Sequence, residues 1–295
     1  MHIVFNAYIT NLGNTGGCRT IVKSAETLRE LGHKVDIVAR KNRYTWSKVK
    51  TIKSIPKCDA CVAVSVLDVD NTRHAKAKHK AFYLRGNETW FKTEKEIAKK
   101  VKSIPTIANS SWLARKYKTR RCWSGFDIHE QTLGLSKDRL SRVGFLYNMG
   151  HNSKNSGMYL DIADDLPGIE FRTLSASKAP ASIEGVVSPS EKKKKLFYES
   201  VGMWWAPTDS EGMHQPPAEA NLCGALVICN RKESNGMGDY ATDETAMRYD
   251  TVEEAIDCIK NPDYSKVGEM QTLLKQKIGD REFNMKLFVK LLEES

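Results

Sequence analysis

The chain has 295 residues, of which 40% are hydrophobic and 28% are charged, and its formal net charge is +10. These values exclude an intrinsically disordered chain and allow two domains of ordinary size, each with its own core. No apolar run is long enough to cross a membrane, the start of the chain does not resemble a signal peptide, and the odd number of cysteines, seven, indicates reduced thiols. We therefore expect a two-domain cytoplasmic protein.

The first predicted element is an apolar strand over residues 2–9. It leads into a glycine-rich loop with Gly16 and Gly17, which opens an amphipathic helix, and residues 35–39 form a second strand. Because glycine has no Cβ, such a loop lets the backbone approach a ligand closely. A tight turn without a ligand is the alternative interpretation.

A later strand ends at Leu84, and polar residues follow it at the expected edge of the sheet. Arg85 is a candidate phosphate ligand, and Glu88 or Asn87 is a candidate partner for a substrate hydroxyl group. An ion pair that closes the loop is the alternative interpretation.

Two basic tracts with aromatic residues come next. Residues 90–104 predict a helix with an apolar inner stripe and lysines outside, and residues 110–123 add Lys and Arg around Trp112 and Trp123. A basic surface with exposed aromatic rings suits phosphate backbones and stacked bases. It equally suits an anionic membrane, with the helix lying in the plane of the interface. A lysine-rich solvated face is the third interpretation.

The second half opens in the same way as the first. Residues 142–147 predict a strand, which leads through a loop with Gly150 and Lys154 into a helix over residues 158–163. Strands therefore alternate with helices along the whole chain, which predicts an α/β fold with two doubly wound parallel sheets.

The most informative segment lies between residues 207 and 229. A buried strand ends at its start, polar turn residues open a helix, and another strand follows. Glu211 lies in the loop after the first strand, and Glu219 lies on the helix. Open α/β sheets bind ligands at that edge. The two carboxylates can accept hydrogen bonds from two sets of hydroxyl groups while backbone N–H groups near Met213 and His214 hold phosphate.

This segment resembles the E-x7-E signature of the retaining glycosyltransferases of family 4, which have the GT-B fold. Glu211 and Glu219 fall on the two glutamates of the signature. The other frequent positions are matched by Gly212, Pro216, Ala220 and Gly224. The resemblance implies two Rossmann-like domains that face each other across a cleft.

The same resemblance implies a division of labour between the domains. Residues 1–138 form the acceptor-binding domain, and residues 139–279 form the domain that binds the nucleotide sugar. Residues 280–295 form a terminal helix that crosses back to the first domain.

The resemblance also implies a role for each site residue. The donor is a UDP-sugar or a GDP-sugar, and Glu211 binds the hydroxyl groups of its sugar while Glu219 binds its ribose. The diphosphate is held by Gly16, Gly17, Gly150, Lys154, Gly212, Met213 and His214. Asn148 stands where relatives carry an Arg, which leaves the usual pair of cations incomplete. A surface lysine without a ligand is the alternative interpretation of Lys154.

The implied reaction retains the configuration of the sugar, and it needs no protein nucleophile because the leaving phosphate takes the proton of the acceptor. Glu211, Lys154, Glu88 and Arg85 are the residues that we predict to carry it. No Asp-x-Asp motif occurs in the second half, and Asp68 and Asp70 in the first half are expected to be turn residues. We therefore predict no dependence on a metal ion.

The charge distribution bears on the acceptor. Residues 1–140 hold 28 Lys and Arg against 12 Asp and Glu, whereas the remainder holds 18 against 24. The acceptor half is thus strongly basic, which favours a polyanionic acceptor. Our preferred acceptor is a hydroxymethylated base in DNA, as made by some bacteriophages, and a phage-encoded enzyme would act in the host cytoplasm.

Two alternatives stay open. The first is a transferase for a cell-surface polysaccharide or a lipid-linked glycan at the anionic surface of the cytoplasmic membrane. The second is a non-catalytic nucleic-acid-binding protein on a GT-B fold, which the missing Arg at Asn148 favours. The sugar, the nucleotide and the oligomeric state do not follow from the sequence.

Overall fold

The computed structural model of the protein describes residues 1–127, 139–147, 155–175, 183–187, 189–232 and 235–295. These residues form two compact units. Unit 1 comprises Met1–Gly125 and Asp280–Ser295, and unit 2 comprises Phe126–Gly279. None of the described helices is both long and apolar enough to span a bilayer. The boundary predicted between residues 138 and 139 adjoins a stretch outside the described residues and stays a prediction.

Unit 1 contains a six-stranded parallel sheet with the order β2-β1-β3-β4-β5-β6. Its strands are β1 His2–Asn6, β2 Lys34–Val38, β3 Cys58–Ala63, β4 Ala77–Leu84, β5 Thr106–Ala108 and β6 Arg120–Arg121. Its first four helices are α1 Gly16–Glu30, α2 Val69–Arg73, α3 Glu94–Lys102 and α4 Ser111–Tyr117. The central strands β1, β3 and β4 are buried along most of their length, as expected for parallel strands with helices on both faces.

Unit 2 contains a second six-stranded parallel sheet with the order β12-β11-β10-β7-β8-β9. Its strands are β7 Arg142–Tyr147, β8 Glu170–Ser175, β9 Glu184–Val187, β10 Met203–Ala206, β11 Leu226–Asn230 and β12 Met247–Tyr249. Its helices are α5 Ser156–Asp165, α6 Glu191–Glu199, α7 Gln215–Leu222, α8 Val252–Lys260 and α9 Lys266–Leu273. The core is aromatic, because Tyr159 stacks between Phe145 and Trp205.

The chain ends with helix α10, Arg281–Glu293, which belongs to unit 1. Asp280 caps this helix by accepting a hydrogen bond from Phe283 N at 2.7 Å. Phe288 of α10 packs against Phe5 of β1 and Tyr83 of β4, with ring centroids 6.2 and 4.9 Å apart. Helix α10 therefore completes the core of unit 1.

Several predicted elements differ from the observed ones at their ends. The helix predicted over residues 90–104 begins only at Glu94, because Thr93 and Glu96 form a capping box there. The helix predicted after the polar turn at residues 210–212 begins at Gln215. The strand predicted over residues 2–9 ends at Asn6, whereas the strand over residues 142–147 is confirmed.

The expected exposure of two tryptophans is wrong. Trp112 and Trp123 are each only 7% exposed. Trp112 packs with Leu84 and Ile97 in the core of unit 1, and the guanidinium carbon of Arg121 covers the ring of Trp123 at 3.7 Å. These two rings are therefore not available to stack on a ligand.

Candidate functional site

The strand order of unit 2 reverses at β7 and β10. These strands are neighbours, and the chain continues from β7 to β8 on one side and from β10 to β11 on the other. Ligands of open α/β sheets bind outside the carboxyl ends of the strands at such a reversal. The loop after β7 contains Asn148, Gly150 and Lys154, which lie outside the described residues. The loop after β10 contains Glu211.

Amide side chains hold the loop after β10 from several directions. Asn155, at the start of α5, donates a hydrogen bond to the carbonyl oxygen of Pro207 at 2.6 Å. Asn235 and Asn230 donate to the carbonyl oxygen of Thr208 at 2.6 and 3.3 Å. The position of the loop is thus fixed by the segments that follow β7 and β11.

The next residue of this loop, Asp209, is held by its side chain. Lys232 forms an ion pair with its carboxylate at 2.7 Å, and Asn230 donates to the same carboxylate at 3.2 Å. Asp209 therefore serves to anchor the loop.

The backbone around Glu211 is clamped by a second segment. Gly236 donates its N–H to the carbonyl oxygen of Glu211 at 3.2 Å. A Cβ on Gly236 would lie 1.7 Å from the carbonyl oxygen of Gly212, so only glycine fits there. Glu211 itself is partly exposed, and Ser210 before it has a positive φ of 55°. These contacts fix the backbone of Glu211, and part of the residue stays accessible to solvent.

Met213 and His214 are buried at the start of α7. His214 Nδ1 lies 3.1 Å from Thr208 Oγ1, and the hydroxyl group of Tyr240 donates to the carbonyl oxygen of His214. Burial raises the pKa of Tyr240 well above its ordinary value, so this donor stays protonated. Pro216 occupies the first turn of α7, which leaves fewer N–H groups for an anion than in a helix without proline.

The second glutamate of the motif has different surroundings. Glu219 lies on α7 and is buried. The hydroxyl group of Tyr198 on α6 donates to Glu219 Oε2 at 3.1 Å. The two glutamates of the motif thus differ, since Glu211 is partly accessible and Glu219 is held inside the unit by a tyrosine.

In unit 1, Arg85 follows β4 and binds two backbone carbonyl groups. Its guanidinium group donates to the carbonyl oxygen of Val64 at 2.5 Å and to that of Gly17. A Cβ on Gly17 would lie 3.0 Å from Nη1 of Arg85, whereas a Cβ on Gly16 would meet nothing within 4 Å. Gly17 therefore allows Arg85 to join the glycine-rich loop to the end of β3.

Glu88 is held by polar groups that follow β3. Its carboxylate is buried and accepts hydrogen bonds from Ser65 Oγ at 2.8 Å and from Val66 N at 2.7 Å. Burial raises the pKa of the Glu88 carboxyl group. Among the described residues no cation forms an ion pair with it, so the alternative interpretation, an ion pair that closes the loop, is not found for Glu88. Asn87 accepts a hydrogen bond from the hydroxyl group of Tyr117 at 2.8 Å.

Sequence reasoning missed the position of Asp68. This residue is completely buried, and its carboxylate accepts hydrogen bonds from Ile9 N at 2.7 Å and from the hydroxyl group of Thr10. Burial raises the pKa of its carboxyl group to about 6. Asp68 thus joins the loops after β1 and β3, where the strand order of unit 1 reverses. Within the described part of the chain, no group of three or more His, Cys, Asp or Glu side chains can hold a metal ion.

Positive φ angles mark the same loops. Five described residues other than glycine have them, namely Asn11, Glu88, Lys118, Asn155 and Ser210. Lys118 ends α4, and the other four lie in the loops that follow β1, β4, β7 and β10. Backbone strain of this kind concentrates at functional sites, because the surrounding structure must stabilise it.

No protein-family model matches the chain, and no curated protein matches its sequence. Solved structures match it at low identity. Anabaena HepE in complex with UDP and glucose matches with a TM-score of 0.76 and 12% identity over 100% of both chains. Sucrose-phosphate synthase from Thermosynechococcus elongatus matches with the same values. An alpha-glucosyltransferase in complex with UDP and a 13-mer DNA containing an HMU base matches with a TM-score of 0.69 and 11% identity over 99% of each chain.

The chain has the GT-B fold. The prediction of an α/β fold with two Rossmann-like parallel sheets is confirmed. Membership of family 4 and the role of each site residue stay predictions.

Proposed function

We propose that this protein is a glycosyltransferase that uses a UDP-sugar. The observation that carries the proposal is the clamped loop with Glu211 at the strand reversal of unit 2, where Rossmann-like sheets bind nucleotides. The GT-B neighbours bound to UDP support the choice of nucleotide.

In this proposal each described group has a separate task. Glu211 accepts hydrogen bonds from the sugar hydroxyl groups, because it is the partly accessible carboxylate. Glu219, oriented by Tyr198, binds the ribose of the nucleotide. Backbone amides from Gly212 to His214, together with Gly150 and Lys154, stabilise the diphosphate.

The proposed transfer proceeds with retention of configuration. The bond between the anomeric carbon and the phosphate oxygen breaks, and its electron pair leaves with UDP. The acceptor oxygen forms its bond to the anomeric carbon on the same face, and its proton moves to the leaving phosphate. The protein contributes by stabilising the charge that builds on UDP. Electrostatic stabilisation of this kind usually makes the largest contribution to catalysis.

A hydroxymethylated base in DNA is the acceptor that we propose. The first half of the chain carries the excess of Lys and Arg, and a polyanion would be attracted to it. A neighbour that was crystallised with UDP and DNA containing an HMU base supports this choice. Extrusion of the base from the duplex would bring its hydroxyl group to the sugar.

Nucleoside mass spectrometry tests this function. Hydroxymethylated and unmodified DNA are incubated with a mixture of UDP-sugars and GDP-sugars and either the native protein, Glu211→Ala or Glu253→Ala. Glu253 is an exposed glutamate on α8 and serves as the matched control. We expect a gain of one sugar mass on the hydroxymethylated base only, absent with Glu211→Ala and present with Glu253→Ala. Donor consumption without a gain on DNA would redirect the search to glycan acceptors, and no donor consumption would favour a non-catalytic protein.

A further inference from the structure

Two neighbouring aromatic residues of unit 1 are exposed to solvent. Trp90 is 50% exposed and Phe91 is 43% exposed, and their ring centroids lie 5.9 Å apart at an angle of 63°. The other tryptophans of the chain are buried or mostly covered. Tryptophan is enriched at contact sites, because its ring offers a large apolar surface.

The turn that carries these rings is rigidly built. The carboxylate of Glu88 is anchored inside the unit, and its carbonyl oxygen accepts hydrogen bonds from Phe91 N at 2.9 Å and Lys92 N at 3.3 Å. Glu88 has a φ of 52°, so the turn persists only because these contacts stabilise it. A Cβ on Gly86 would lie 3.1 Å from Cη2 of Trp90, which places the indole ring against the backbone of Gly86.

A stripe of unpaired lysines follows the aromatic pair. Lys95, Lys99 and Lys102 are exposed on α3, and their spacing of four and three residues puts them on one face. Among the described residues no carboxylate forms an ion pair with any of the three. The neighbouring Lys92 differs from these three, because it forms an ion pair with Glu96 at 3.1 Å.

The burial of the opposite face of α3 distinguishes between two anionic partners, nucleic acid and a membrane. A helix that lies on a membrane must bury its apolar face among the lipids. Ile97 and Val101, on the apolar face of α3, are buried in the core of unit 1. The helix therefore has only a charged face to offer, which suits phosphate groups in solution. The apolar face needed for an in-plane membrane helix, one of the three interpretations of the sequence, is therefore not available.

We propose that this surface of unit 1 binds single-stranded or locally unpaired nucleic acid. An unpaired base stacks on Trp90 and Phe91, and the phosphates beyond it lie along Lys95, Lys99 and Lys102. The inference rests on the proposed function, since it assigns the surface that receives a DNA acceptor. Sequence-tolerant binding follows from stacking, because every base has a flat face.

Fluorescence anisotropy with labelled oligothymidylate and a fully paired duplex tests the aromatic part. We expect Trp90→Ala to weaken binding of the single strand about tenfold. Trp90→Phe should restore most of the affinity, which separates stacking from a folding defect. Phe283→Ala is the matched control, because Phe283 is a 60% exposed aromatic residue of the same unit. Equal affinities for Trp90→Ala and Phe283→Ala would overturn the proposal.

The salt dependence of the same binding tests the lysines. Replacing Lys95, Lys99 and Lys102 by Gln should lower the slope of log affinity against log salt by about 2 for a single strand. The control replaces the exposed Lys192, Lys193 and Lys277 of unit 2 by Gln, with the same change of charge. A similar loss of slope in both triple variants would show that net charge alone matters, and it would contradict the proposed surface.

Two further measurements separate the possible failures. Binding of vesicles that contain phosphatidylglycerol is measured with the same variants. If Trp90→Ala weakens binding of vesicles but not of oligonucleotides, the proposal is overturned in favour of a membrane. Turnover of a mixture of UDP-sugars is measured in parallel. If the donor is turned over but Trp90→Ala binds DNA as tightly as the native protein, only this inference is overturned. If Trp90→Ala weakens binding of DNA but the donor is not turned over, the inference stands and the proposed function is overturned.

Discussion

Four carboxylates near the carboxyl edges of the two sheets differ in what surrounds them. Glu211 is partly accessible, whereas Glu219, Glu88 and Asp68 are buried. Glu88 and Asp68 accept hydrogen bonds from backbone N–H groups of neighbouring loops. These hydrogen bonds join neighbouring loops of unit 1, and the catalytic role of Glu88 stays a prediction. Glu211 is the carboxylate that we propose contacts the sugar.

Burial of Asp68 predicts an effect of pH on stability. The folded protein holds the proton of this carboxyl group up to a pKa of about 6, above its ordinary value of 3.8. Between these values the folded state binds more protons than the unfolded chain, so the stability contributed by Asp68 falls as pH rises through this range. Asp68→Asn removes this dependence. The free energy of unfolding of Asp68→Asn minus that of the native protein should be about 3 kcal/mol larger at about pH 7 than at about pH 3. Urea unfolding at several pH values measures the difference, and a constant difference would contradict it.

The hydrogen bond between Tyr198 and Glu219 predicts an effect on donor binding. Tyr198→Phe removes the donor that orients this carboxylate. We expect KM for the UDP-sugar to rise about tenfold with a smaller change in kcat, since a buried group that loses its hydrogen-bond partner costs about 1–3 kcal/mol. Tyr159→Phe is the control, because the buried Tyr159 hydroxyl group has no partner among the described residues. Steady-state kinetics with equal KM values for both variants would refute the role of Tyr198.

At the scale of elements, the Glu211 loop depends on the short helical turn Gly236–Asp239. Gly236→Ala would place a methyl group on the carbonyl oxygen of Gly212 and displace the loop. We expect activity to fall at least about 100-fold while most of the fold is kept. Gly238→Ala, two residues along, meets nothing within 4 Å and should be nearly neutral. Activity and circular dichroism of both variants check this, and equal activities would show that the clamp is dispensable.

The sequence predicted elements well where periodicity defines them and poorly where distant contacts do. Strand β7 follows the apolar pattern closely, and the last helix lies where the family resemblance implied it. The burial of Asp68 depends on a contact with Ile9, 59 residues away, which no local pattern records. The fit of Gly236 against Gly212 is likewise invisible in the sequence, since it follows from the packing of two loops.

At the scale of the whole molecule, unit 1 is assembled from both ends of the chain. Phe288 of α10 fills the space between Phe5 and Tyr83. Phe288→Ala should lower the free energy of unfolding of unit 1 by about 3–5 kcal/mol, because it leaves a cavity in a packed core. The exposed Phe283 on the same helix provides the control variant Phe283→Ala. Hydrogen exchange should show lost protection in β1 and β4 for the first variant alone, and unchanged protection would contradict the role of α10.

Turnover of a mixture of UDP-sugars tests the central claim most directly. Release of UDP is measured with the native protein, Glu211→Gln and Glu253→Gln. We predict turnover by the native protein and by Glu253→Gln, and a loss of about 100-fold or more in Glu211→Gln, since a lost contact to the reacting sugar costs this much in comparable sites. Equal turnover by Glu211→Gln and the native protein, or no turnover by any of the three, would contradict the account.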